Sequence, residues 1–316
     1  MKNTRLAQIE GLKNQTFGVE VEMNAITRRD AARAAAEYFG TGRYEETAYC
    51  DGYCTWSAFD AQGRKWKFSR DVSIAGPDSQ KCEMVTPVLK YEDLELLQGL
   101  IRHLRANGAK SSASRGCGVH IHIGSDGHTP QTIRNLVNMM YAHEDQLAVA
   151  IELDRVRCNT YCKVVDHDFL KRLNKAKPKT NEELARCWYN GPVETCHYSH
   201  TRYRMLNLHA YFNRYHTIEF RLFQFDDKKG DRKGGLHAGQ LKAMIQFCLA
   251  LSELAKELKT VACKKATVEN VDAFRSWLVR LGLIGEEFKT CRDYFCRNFM
   301  TEHEWREHVR NNNQAA

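Results

Sequence analysis

No run of eighteen apolar residues occurs in this chain, which excludes a helix that crosses a bilayer. Only 5 prolines are present, and no stretch is rich in Pro or in Gly and Ser, so a linker between separate domains is not expected. The opening residues 1–12 are polar and lack the apolar core of a signal peptide. Zinc-ribbon and redox spacing (Cys-x-x-Cys), the zinc-protease pattern His-Glu-x-x-His, and RNA-binding or helix-turn-helix signatures are all missing. These absences point to a cytoplasmic protein off the membrane, with its 12 cysteines kept as thiols.

What is there suits one globular unit. A chain of 316 residues that is 43% hydrophobic and 27% charged can bury a substantial core. Lys and Arg outnumber Asp and Glu by 47 to 39, a formal charge of +8 that suits a nucleotide, an acidic substrate or a nucleic acid without choosing among them.

Alternating apolar residues predict strands over 17–23, 53–59, 65–69, 82–86, 118–124, 205–210 and 217–223. Helical spacing predicts helices over 29–38, from Leu94 to Leu104, over 130–153 behind a Thr129-Pro130 start, near 168–174, and over 236–258 and 268–281. Residues 155–200 read as polar and irregular, a place for a substrate loop, and 226–235 as a charged loop. The expected class is α+β. A single domain spans 1–316, with a core over 17–223 and a helical C-terminal part over about 236–311.

Three of the strands carry ionisable pairs at i and i+2, which share one face. Glu20 and Glu22 lie on the first, His120 and His122 on another, and Glu219 and Arg221 on the last. Alone, each pair has a plain explanation as a solvated edge or a surface ion pair. Together they describe a site. Neighbouring carboxylates repel unless a cation lies between them, carboxylate oxygens suit Mg²⁺ or Mn²⁺, and Arg matches phosphate. Glu83, in an otherwise apolar strand, is a further candidate metal ligand. Asp71 is a candidate for a metal or for an attacking amine. Three other readings remain open: a nucleic-acid-binding protein, a metal-dependent nuclease, and a zinc hydrolase using His120 and His122. A zinc site joining Cys50, Cys54, Cys158 and Cys162 has less support than free thiols, and Cys117 has no evident base partner. The looser pair Cys291 and Cys296 is read the same way.

The ordered set Gly18-Val19-Glu20-Val21-Glu22, Asp71-Val72-Ser73, Glu83-Met84-Val85-Thr86-Pro87, Gly118-Val119-His120-Ile121-His122 and Glu219-Phe220-Arg221 resembles the amidoligases. Those are carboxylate–amine ligases related to glutamine synthetase and glutamate–cysteine ligase. Arg202-Tyr203-Arg204-Met205-Leu206-Asn207-Leu208 is similar to the segment that family carries before its last Glu-x-Arg. The family usually has Asp-Gly-Ser where this chain has Asp71-Val72-Ser73, which bears on the local turn more than on the carboxylate.

The resemblance implies a glutamine-synthetase-like antiparallel sheet forming a half-funnel for ATP and metal, with helices outside. It implies Glu20, Glu22, Glu83, His120 and Glu219 as ligands of Mg²⁺ or Mn²⁺, and Arg221 on the transferred phosphoryl group. Arg202, Arg204 and Asn207 would serve ATP, Asp71 the amine, and His122 the substrate or the ligand shell. The implied reaction is ATP-dependent amide or isopeptide formation through an acyl phosphate, with an amino acid, peptide or cell-wall component as acceptor. A guanidino phosphotransferase of the same superfamily is the related alternative. Neither the substrates nor the oligomeric state can be read from the residues.

Overall fold

The computed structural model describes residues 2–48, 52–196, 198–213, 215–230 and 234–299. Its strands are β1 (Phe17–Met23), β2 (Tyr44–Ala48), β3 (Thr55–Phe59), β4 (Lys65–Ser69), β5 (Cys82–Val85), β6 (Val119–Gly124), β7 (Leu206–Asn207) and β8 (Thr217–Phe223). They form one sheet in the order β2-β3-β4-β5-β1-β6-β8-β7, and every neighbouring pair is antiparallel. The strand earliest in the chain therefore sits in the middle of the sheet.

The helices are α1 (Lys2–Asn14), α2 (Arg28–Tyr38), α3 (Leu94–Ala106), α4 (Pro130–Ala150), α5 (Arg155–Thr160), α6 (His167–Ala176), α7 (Asn181–Tyr189), α8 (His209–Phe212), α9 (Ala238–Glu257), α10 (Val271–Arg280) and α11 (Lys289–Cys296). Local chemistry sets their starts. Thr27 caps α2 by accepting from the Asp30 amide, and Thr129 caps α4 with Pro130 in the first turn. None of the described helices is long and apolar enough to cross a membrane.

The alternation of β-branched and polar residues divides the sheet into two faces. Val19, Val21, Trp66, Phe68, Met84, Val119, Ile121 and Phe220 are fully buried in the core. Helix α2 lies on β3 and β4, and α9 on β6. Helix α9 buries residues around most of its circumference, because α1, α3, α4 and α11 also pack against it. The expected helical C-terminal part thus consists of α9, α10 and α11, up to residue 299.

Three expectations differ from the fold. Residues 205–210 do not form one strand: only Leu206–Asn207 pairs, and α8 begins at His209. The Asn207 side-chain oxygen accepts from the His209 amide at 2.8 Å, a local bond that turns the backbone out of the ladder. The strand expected from residue 53 begins at Thr55, because Cys54 takes a left-handed φ of 47°. Residues 155–200 hold three helices, α5, α6 and α7, of which α6 and α7 bury Phe169, Leu173, Leu184 and Trp188. That segment wraps the β7 edge, where Met205 N bonds to Lys163 O at 2.7 Å.

Candidate active site

Strand β1 supplies the axis of the polar face. Its register sets Glu20 opposite His120, Gly18 opposite His122, and Glu22 opposite Glu83. One strand further, His122 faces Glu219, and Asn207 on β7 faces Glu219 from the other side. Antiparallel pairing thus turns three i, i+2 pairs distant in sequence into one cluster.

The side chains meet as the register requires. His120 Nδ1 lies 2.9 Å from Glu20 Oε2, and its Nε2 3.8 Å from Glu22 Oε1. His122 Nδ1 is 2.9 Å from the Thr217 hydroxyl. Its Nε2 is 3.3 Å from Glu20 Oε1 but is not aligned for a hydrogen bond, and is left as a buried nitrogen without a hydrogen-bond partner. Asn207 donates to Glu219 Oε2 at 2.6 Å, and Arg221 donates to Glu219 Oε1. The Gly118 amide donates to Glu22 Oε2 at 2.5 Å. Glu22, His120, Glu219 and Arg221 are each at most 5% exposed, so these charges interact with little water between them.

The electrostatics divide the carboxylates. Burial works against ionising Glu20, but His122 and His120 beside it hold its carboxyl well below the usual range. Burial opposes ionisation of Glu219 too, yet Arg221 and His122 bring it down to about 2. Glu83 goes the other way. Burial pushes its carboxyl well above the ordinary range, and the charges of Glu20, Asp71 and Glu22 add to the effect. His122 is raised, because Glu219 and Glu20 outweigh the burial that would lower it.

Three overlapping groups place one ligand atom from each residue within 4.8 Å of the others: Glu20, Glu83 and His120; Glu20, His122 and Glu219; Glu22, Asp71 and Glu83. A crowd of buried acids that raises one of its own members is short of positive charge. Carboxylate oxygens with one or two imidazoles are a donor set for Mg²⁺ or Mn²⁺. The residues present therefore fit a divalent ion. None of the three groups contains a cysteine.

Asp71 is held in place by its own turn. Its Oδ1 accepts from Ser73 N at 2.7 Å and Ser73 Oγ at 2.6 Å, while Val72 points to solvent at 68% exposure. The valine in the turn is thus accommodated without displacing the carboxylate.

The remaining expected residues separate. The Arg202 guanidinium lies 5.7 Å from the Tyr203 ring centre, and Arg221 lies 5.9 Å from the same ring, so Arg202 stands one aromatic ring away from the acid cluster. Tyr198, also near Arg202, shares a 2.6 Å hydrogen bond with Tyr53. Asn207 orients Glu219. Arg204 is not brought to the cluster: it bonds to Asp166 at 2.9 Å and to the Val164 carbonyl at 3.1 Å. Cys117 is buried, with its thiol pushed up to about 12 by burial and by Glu22, so it is not a ready thiolate. Cys54, Cys158, Cys162, Cys291 and Cys296 are free thiols, and Cys50 lies outside the described residues.

One residue was missed by sequence reasoning. Arg157, at 4% exposure, lies under the polar face with Nη1 3.8 Å from Glu22 Oε2. Its Nη2 donates to the carbonyls of Arg221 at 3.3 Å and Phe223 at 3.4 Å. Those carbonyls flank an irregularity: Ile121 pairs with Phe220 and Val119 with Phe223, so β8 carries one extra residue. A Cβ on Gly118 would come within 2.2 Å of Arg157 Nη2. The glycine before the His-x-His strand was the one available hint, because close approach of a side chain is a standard reason for glycine in a strand.

The sequence pattern of a family described as "Putative amidoligase enzyme" matches residues 13–252, about three quarters of the chain. No match was found among curated proteins. Among solved structures, a weak match is to a bifunctional glutathione synthetase from Pasteurella multocida, with 12% identity and a TM-score of 0.44. That match covers 94% of this chain and 49% of the other, so the chain spans about half the length of that protein. With the family pattern running from before β1 to within α9, across every strand of the sheet, the chain belongs to the amidoligase family.

Proposed function

We propose that this protein is an ATP- and Mg²⁺-dependent carboxylate–amine ligase, built on a single domain whose sheet is a glutamine-synthetase-like half-funnel. The observation that carries the reading is the convergence of Glu20, Glu22, Glu83, His120 and Glu219 with Arg221 on one buried polar face. Mn²⁺ is the alternative ion.

A carboxylate is a poor electrophile. In the proposed reaction, a substrate carboxylate oxygen attacks the γ-phosphorus of ATP, giving an acyl phosphate and ADP. An amine then attacks the acyl carbon, inorganic phosphate leaves, and an amide remains. Divalent ions held by the carboxylates and His120 would neutralise phosphate charge during transfer. Arg221 binds the phosphoryl oxygens; burial opposes its charge, but the carboxylates of Glu219 and Glu20 outweigh that and keep it cationic. Asn207 fixes Glu219 by its hydrogen bond, and His122 presents its buried Nε2 toward the same space. Asp71, at the edge of the cluster, accepts the proton lost by the amine. Arg202, beyond Tyr203, receives the outer phosphates or the substrate carboxylate. Amino acids, peptides and cell-wall components are the acceptor classes to try, in a cytoplasmic setting.

The test is ADP release that requires both a carboxylate and an amine, followed by mass analysis of the product. A new amide supports the reading; a phosphorylated guanidino product assigns the phosphotransferase instead. Full turnover in purified Glu20→Ala or Glu22→Ala protein would sink the assignment.

A further inference from the structure

Beyond the acidic face, two adjoining cavities of about 360 Å³ each lie where α3, α9 and the loop before β6 come together. Among the described residues, the first is lined by Arg102, Arg105, Lys242, His237 and Thr290 among others, with no carboxylate. The second is lined by Lys110, Arg115 and Lys228, and shares Arg105 with the first. Its one carboxylate among the described residues, Asp227, already accepts from the amide and hydroxyl of Ser114. Among the described residues, six cations thus face one engaged acid, in a protein whose candidate active site is acidic.

The wall is built rather than merely charged. Arg105 is fixed between the cavities by donating to Leu236 O at 3.1 Å. His237 caps α9 through Nδ1, and the first amide of that helix to close on a carbonyl is Leu241, at 3.1 Å from His237 O. The earlier amides of Ala238 and Gly239, both in the first cavity's wall, stand at the positive end of a 20-residue helix.

We propose that these adjoining cavities bind a phosphate-bearing small molecule at a site separate from the acidic sheet face, with Arg102, Arg105 and Lys242 on the phosphate and the second cavity around the rest of the molecule. A phosphate carries nearly two charges and several acceptor oxygens, which matches three cations and free amides better than a single carboxylate does. Concave walls of this size admit one small molecule, whereas a nucleic-acid backbone needs an extended basic surface. The local field agrees: burial, Arg105, Arg297 and Arg102 all hold the His237 imidazole below its ordinary range.

Calorimetric titration with inorganic phosphate, and separately with ATP, tests this in the presence of EDTA. In EDTA the acidic face lacks the metal proposed to hold phosphate there, which leaves Arg221 and Arg202 as its phosphate contacts. Saturable binding is expected for the wild type and equally for Arg202→Ala and for folded Arg221→Gln, which separates this site from the proposed catalytic one. Arg105→Ala should weaken it by about tenfold or more, the loss of one charge-assisted contact, and Lys242→Ala should weaken it with the fold intact. Tighter binding of ATP identifies a phosphate ester as the natural class; equal affinity identifies free phosphate. No saturable uptake at millimolar probe, or affinity unchanged in Lys242→Ala and in folded Arg105→Ala, overturns the proposal, as does binding of duplex RNA but of neither probe.

Discussion

The two faces of the sheet are made by the same strands and differ in what holds them. On the helix side, Val19, Val21, Val119, Ile121 and Phe220 are buried among apolar neighbours, and each contact adds to stability. On the other side, Glu22, His120, Glu219 and Arg221 are buried almost as deeply, with Glu20 half-buried beside them, but the acids crowd one another until Glu83 resists ionisation. A face that repels itself is retained for what it binds rather than for the stability it gives. The contrast predicts opposite consequences of substitution at alternate positions of a single strand.

The largest effect is expected at Glu20. Glu20→Gln should lower amine-dependent ADP release by about a thousandfold or more while the protein still folds, because a ligand is lost, whereas the lost attraction to His120 and His122 is offset by relief of the repulsion on Glu83 and Glu219. The adjoining face should behave in reverse. Phe220→Ala should cost about 3–5 kcal/mol in a denaturant melt, by removing a fully buried ring from the core. Equal loss of stability in the two variants would erase the distinction between the faces.

A third comparison uses protons. His128 is sandwiched between the Thr132 and Ser252 hydroxyls, and burial, with Lys256 nearby, lowers its imidazole to about 3. It is neutral when folded and takes a proton near its ordinary pKa when unfolded. Its contribution is therefore complete above about pH 6.5 and is lost as pH falls toward 3. Between pH 7 and 4.5 the wild type should lose about 2–3 kcal/mol more than His128→Gln, read from melts at both pH values. A parallel decline in the two proteins would remove His128 as the cause.

Gly118→Ala tests the support beneath the polar face. The new methyl collides with Arg157, so stability should fall by about 1–3 kcal/mol. Turnover should fall further than that loss explains, because the arginine braces the carbonyls on either side of the β8 bulge. Retained kcat in a folded Gly118→Ala protein would make Arg157 a packing residue only. The smallest effect is expected at Arg204, whose ion pair with Asp166 is partly exposed. Arg204→Ala should change stability by about 1 kcal/mol or less, and turnover little, since its guanidinium is directed at α6.

Much of the acidic face was legible because a strand has a simple period. Glu20 with Glu22, His120 with His122, and Glu219 with Arg221 could be put on common faces from spacing alone, and the strands at 17–23, 65–69 and 217–223 lie where alternation places them. Pairing register is a long-range property, so spacing could not say that Glu20 meets His120 or that Glu22 meets Glu83. Arg157 was hidden for the same reason: its partners lie on β1 and β8, its close neighbour Gly118 just before β6, and nothing around residue 157 announces them. Helix α7 was concealed by its polar surface, although Thr180 caps it and Leu184 and Trp188 recur four apart. The formal charge of +8 does not gather at the acidic face. Arg221 is neutralised by Glu219 and Arg204 by Asp166, while the acid-poor concentration of charge lies around Arg105.

The central place of β1 has a consequence for how the molecule forms. Neither sheet neighbour of β1 is adjacent in sequence: one edge waits for Cys82–Val85 and the other for Val119–Gly124. Until residue 124 has been made, a strand of Phe, Val and Met has an open edge, ready to pair with another chain. Glu20 and Glu22 lie on that same open strand, and their like charges discourage two copies from stacking in register. The carboxylates proposed to hold metal in the finished protein would then act as gatekeepers during its synthesis.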